Sequence, residues 1–178
     1  SGTETLTGTN TFTGGATVDA GTLAIGAGGS LAATGGVALA GTGAALDLSG
    51  AGAAQTIGAL SGVAGTTVAL GGNGLAFGDC SNQTLGGAIT GTAGITKNGS
   101  GTETLTGTNT FTGGATVNAG PLAIGAGGSL AAGTGINLAN SGPGFDISGA
   151  TTPQTDGGLT AVGSGPVNVG RNGLTFGD

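Results

Sequence analysis

Apolar side chains recur at every second position along this chain, but only over very short stretches. Ala16-Thr17-Val18, Leu23-Ala24-Ile25, Val37-Ala38-Leu39, Leu46-Asp47-Leu48 and Val68-Ala69-Leu70 each put two apolar residues on one side of an extended segment. Glycine-rich turns such as 26–29 and 71–74 separate many of these segments. Strands this short and closely spaced suit a coil of strands better than a hairpin sandwich. A helical reading fails, because Gly costs roughly 1 kcal/mol relative to Ala at each helix-interior position. No window of a dozen residues avoids Gly, Thr and Asn while keeping an apolar stripe at helical spacing. At roughly 20–25 residues per coil the chain would form about eight coils. With about 4.8 Å between coils they would make a rod near 40 Å long.

The same pattern repeats on a longer scale. Ser1 to Val18 recurs identically as Ser100 to Val117, an offset of 99 residues that holds without a gap to Gly177-Asp178. Two long units follow, 1–99 and a shorter 100–178, expected to form one continuous solenoid. Through residue 33 only Asp19 (Asn118) and Thr22 (Pro121) differ. Beyond that the polar and glycine positions drift, while apolar positions stay apolar: Leu39 and Leu138, Leu46 and Phe145, Leu48 and Ile147, Val68 and Val167, Phe77 and Phe176. Side chains that face a core are constrained in this way.

Composition narrows the function. The 178 residues include 46 Gly, and Leu, Ile, Val and Phe make up only about a fifth of them. That fraction borders on disorder, but charged residues are just 6 % of the chain, and disorder usually also carries a high charge density. Two cations, Lys97 and Arg171, stand against eight carboxylates, for a net charge of −6. Nucleic acid and anionic lipid are therefore not expected partners. No apolar run reaches the roughly 20 residues of a spanning helix, and no signal peptide opens the sequence. Cys80 is the single cysteine, so no disulfide forms within the chain. No basic sequence neighbour favours its thiolate, and it reads as an inert small residue.

The stretch from Gly91 to Leu122 contains Lys97, Gly107-Thr-Asn109-Thr-Phe111-Thr-Gly-Gly-Ala-Thr-Val117 and Gly120-Pro-Leu122. It resembles the passenger-associated repeat of autotransporters, and residues 2–25 are a second copy. The resemblance implies a right-handed parallel β-helix carried to the surface of a Gram-negative bacterium. The parent protein would carry an outer-membrane β-barrel, and this segment itself would not insert in the membrane. Near absence of Cys suits that route, since periplasmic disulfides would obstruct export. One departure concerns the strand before Gly-x-Asn. The family usually has two inward apolar residues there, and here the first is Glu4 or Glu103. Because a lone buried carboxylate is costly, the strand is expected to be bulged or shifted so that the carboxylate reaches water. Glu103→Leu is then expected to raise the melting temperature.

The search for chemistry yields no catalytic, cofactor or metal residues. Without His there is no Ser-His-Asp or Cys-His arrangement and no imidazole ligand. Asp47 and Asp146 lie between inward apolar residues, point outward and are several coils apart, beyond glycosidase spacing. Gly26-Ala-Gly28-Gly29-Ser30 lacks the following Lys of a P-loop. Gly71-Gly72-Asn73-Gly74-Leu75-Ala76-Phe77 has Ala76 where a calcium-binding turn needs Asp. The sequons at Asn82 and Asn98 read as coincidence in a bacterial exported protein. Phe12 and Phe111 are expected to pack at a corner. A threonine ladder remains as a possible contact surface: Thr5, Thr7, Thr9, Thr11 and Thr13, with Thr104, Thr106, Thr108, Thr110 and Thr112. It comes once per long unit, so any ice-binding array would be interrupted.

The expected function is a stalk or adhesin segment on the bacterial surface, without enzymatic activity or cofactor. Partners would be host-surface or matrix molecules, or the chain itself through lateral or end-to-end stacking. Self-association driving aggregation or biofilm is the alternative. Ice binding and polysaccharide activity rank below both.

Overall fold

A computed structural model describes residues 2–177. Every strand pairing in it is parallel, and no helix occurs among the described residues. Each coil visits three faces in turn. Ala45–Asp47 lies in a five-stranded sheet, Gln55–Thr56 in a six-stranded sheet and Leu60–Gly62 in an eight-stranded sheet; Thr67–Gly71 then returns to the first. The eight-stranded sheet contributes one strand per coil, so the parallel β-solenoid has about eight turns, as the spacing predicted.

Alternation decides which side chains enter. In the five-stranded sheet Leu23 stacks on Leu46, Leu46 on Val68 and Val68 on Ile89. The intervening Ala24, Asp47, Ala69 and Thr90 face outward in their own column. These partners are 21 to 23 residues apart, whereas Thr3 pairs with Thr22 and Glu103 with Leu122, only 19 apart. Coil length therefore varies, and the corners absorb the difference. Gly15 shows why corners favour glycine. Its φ is 81°, and a Cβ there would lie 2.7 Å from the Gly36 carbonyl oxygen of the next coil.

Where a face has no strand, side-chain amides continue the ladder. Asn109 Oδ1 accepts from Ile89 N at 3.0 Å, and Asn109 Nδ2 donates to Ser129 O at 3.0 Å. Further down the same face, Gln154 Oε1 accepts from Leu130 N at 3.4 Å, and Gln154–Asp156 pairs with Leu174–Phe176. Gln55 does the same on another face, accepting from Leu31 N and donating to Gly29 O. Each amide offers both a donor and an acceptor, so it can stand in for a peptide unit that would otherwise leave buried backbone groups unpaired.

The repeat offset does not correspond to a whole number of turns. Thr3–Leu6 lies in the five-stranded sheet on the first coil. Its counterpart Glu103–Leu105 is the fifth strand of the eight-stranded sheet. Ala16–Val18 moves likewise from the eight-stranded to the six-stranded sheet as Ala115–Val117. The 99 residues thus span four turns and two further faces, and identical sequences look out in different directions.

Candidate functional site

The threonine ladder does not form one flat face. Thr5 lies in the strand Thr3–Leu6, Thr9 forms an isolated bridge with Ser30 on the next face, and Thr7, Thr11 and Thr13 occupy connecting segments. All five are exposed. In the second unit Thr104 is half-buried in the eight-stranded sheet and Thr106 is half-buried beyond its strand; Thr108, Thr110 and Thr112 are exposed. The two ladders therefore lie on different faces.

A different row is assembled by the fold. On the outside of the six-stranded sheet the parallel register stacks Thr56, Ala76, Thr96, Thr116, Asn137 and Thr160. These residues come from both long units and from no single motif, so nothing local along the chain marks them as a row. Beside the row, Asn118 Nδ2 donates to Asn98 Oδ1 at 2.9 Å, and Asn140 Nδ2 donates to Asn118 O at 3.0 Å. The result is a narrow, uncharged strip of hydroxyls, methyls and amides.

Asp47 and Asp146 face outward on different sheets and cannot act as a pair. Asp146 sits below the ordinary carboxylate range: burial pushes it up, but hydrogen bonds from Ser148 and the Asn168 amide outweigh that. A hollow of about 620 Å³ on the first coil is lined by Glu4, Val18, Asp19 and Leu23 among others, with no Lys or Arg among the described residues that line it. No metal-binding cluster of His, Cys, Asp or Glu occurs among the described residues. Cys80 is exposed on a corner. No helix among the described residues is long and apolar enough to cross a membrane.

The interior holds two charged side chains at the junction of the long units. Lys97 replaces an apolar residue in an inward column, stacked between Phe77 and Val117, and is 1 % exposed. Its Nζ donates to the carbonyls of Asn98 (2.5 Å), Gly99 (2.9 Å) and Ala119 (3.2 Å). Burial lowers its pKa, opposed by Glu103 and Asp79. Glu103 is also 1 % exposed, stacked between Gln83 and Leu122, and its Oε1 has no hydrogen-bond partner. This corrects the expectation that the carboxylate reaches water. A one-residue slip would turn Leu105, buried between Leu85 and Ile124, to the outside. Register is held by that leucine and carries Glu103 inward with it. Glu4, in the same local sequence on the first coil, is exposed.

The phenylalanines divide in the same manner. Phe111 is fully buried, whereas Phe12 is 42 % exposed.

Two stretches of the chain are similar to known proteins. Residues 1–25 and 95–124 match the passenger-associated-transport-repeat family. The adhesin BmaC autotransporter of Brucella suis biovar 1 (strain 1330) is 39 % identical over 107 residues, which is 59 % of this chain and 3 % of that protein. The chain therefore spans a small fraction of that relative's length. No solved structure gives a significant match.

Proposed function

We propose that the chain is a passenger repeat of the autotransporter type, a non-enzymatic rod displayed on the bacterial surface. It would act as a stalk or adhesin segment. The observation that carries this reading is the unbroken parallel ladder across the junction of the two long units: Gln83–Leu85 pairs with Glu103–Leu105, which pairs with Pro121–Ile124. Stacking of this kind gives a quasi-one-dimensional body whose coils support one another. The similarity to a protein named as an adhesin autotransporter adds weight to surface display and to an adhesive role.

Homotypic association is the second reading, favoured by the uncharged row through Thr96 and Thr116 on the six-stranded sheet. Stacked coils repeat such side chains about every 4.8 Å, a spacing that a second rod could match.

Beads coated with the chain, compared with beads carrying an unrelated β-solenoid, test both readings. Retention on host cells or matrix proteins above the control would support an adhesive segment, and clumping would support self-association. Neither effect would leave the segment as a passive stalk.

A further inference from the structure

Glu103 is enclosed on every side. Gln83 lies above it and Leu122 below in the same column, Lys97 comes from the preceding strand and Asp79 from the neighbouring corner. Lys97 and Asp79 are the charged groups that act on it. An ammonium has three N–H bonds, and Lys97 directs its Nζ to three backbone carbonyls. It therefore has no hydrogen left for Glu103. The carboxyl is buried beside a cation that neutralises carbonyl dipoles instead of pairing with it. An ionised carboxylate with a buried oxygen left unpartnered, as Oε1 is here, is strongly disfavoured, and the group responds by holding its proton.

We infer that the coil joining the two long units is a proton-loaded latch, closed around a neutral Glu103 and loosened when that carboxyl ionises. Burial pushes the group up to about 8 from an ordinary 4.5, the Lys97 charge pulls it down and Asp79 pushes it up. A carboxyl raised in the folded rod keeps its proton longer there than in the opened coil. Its stabilising contribution is complete below the ordinary value and is lost as pH rises toward the folded value. Mild acid thus tightens the junction, and the rise toward neutral pH loosens it, with no further change above the folded value. Opening would bare the pairing edges of Glu103–Leu105 and Ala115–Val117, which are templates for another chain. The junction would then be the place where a surface rod responds to the pH of its surroundings.

Amide hydrogen exchange on the whole chain, corrected for the intrinsic pH dependence of exchange, tests the latch. Between about pH 5 and 7.5 the opening constant for residues 95–124 should rise about tenfold per pH unit and then level off. Glu103→Gln should flatten that slope, while Glu4→Gln, in the same local sequence on an exposed coil, is the matched control. If Glu103→Gln does not fold, Glu103→Leu gives the same comparison with an apolar side chain. Carbon-13 titration of the Glu103 carboxyl in the parent chain supplies an independent reading. A midpoint near 8 supports the latch; a midpoint near 4.5, or equal exchange slopes in parent and variant, overturns it.

Discussion

Phe12 and Phe111 offer a controlled experiment built into the chain. Each sits in the segment Thr-Asn-Thr-Phe-Thr-Gly-Gly, so local propensity and corner chemistry are identical. They differ in what covers them: Phe111 is fully buried beneath a preceding coil, and Phe12 is 42 % exposed. A Phe side chain removes roughly 150–250 Å² from water when buried. At about 25 cal/mol per Å² that amounts to about 4–6 kcal/mol, an upper bound given the compactness of real unfolded chains. Phe111→Ala should therefore lie in the usual range of about 3–5 kcal/mol for a buried aromatic. Phe12→Ala loses a smaller transfer contribution and leaves a gap open to solvent, so a cost of about 1–2 kcal/mol follows. Urea unfolding followed by circular dichroism ranks the two variants. Hydrogen exchange then places each loss on its own coil, since repeat proteins need not unfold as one unit. Equal losses at both positions would refute the reasoning, because they would mean that the segment's own sequence, and not the covering coil, sets the contribution of its aromatic residue.

Two further predictions follow from comparing the units. Asp156 is 1 % exposed with both oxygens unpartnered, at the position where the first unit has buried Ile57. Burial pushes its carboxyl up to about 6, so its proton is lost and the site destabilised as pH rises through that value. Asp156→Ile should raise stability by about 2–3 kcal/mol at pH 7 and by much less at pH 4. Thermal melts at the two pH values check this, and a gain that does not depend on pH would contradict it. A third 99-residue unit joined in register should place its Thr-Glu-Thr-Leu strand on the six-stranded sheet. A crystal structure showing that strand on either of the other two sheets would contradict the fractional-turn phase.

Much of the fold was legible along the chain because burial in a solenoid is local. A side chain two positions from another apolar residue points the same way whatever the distant sequence does, so Leu46 and Leu48 mark an inward face unaided. Asn109, Gln55 and Gln154 were less visible. Their importance lies in unpaired backbone groups of neighbouring coils, although recurrence of Asn10 with Asn109 and of Gln55 with Gln154 was a usable signal. The row through Thr56, Thr96, Thr116 and Thr160 was not legible at all. Its members become neighbours only through inter-coil register.

Glu103 marks the same division. Locally it is a charged residue at an inward position, and the cost of burying charge argued for a bulge. The column Leu85–Leu105–Ile124 fixes the register, and the neutral form of the acid lessens the penalty that the bulge would have relieved. Sequence by itself determined the strands, their inward faces, the glycine corners and the long repeat, because each depends on residues a few positions apart. Tertiary structure alone decided which face each copy occupies and which identical side chains are buried. Coil length varies from corner to corner, and the repeat of 99 residues does not divide into whole turns.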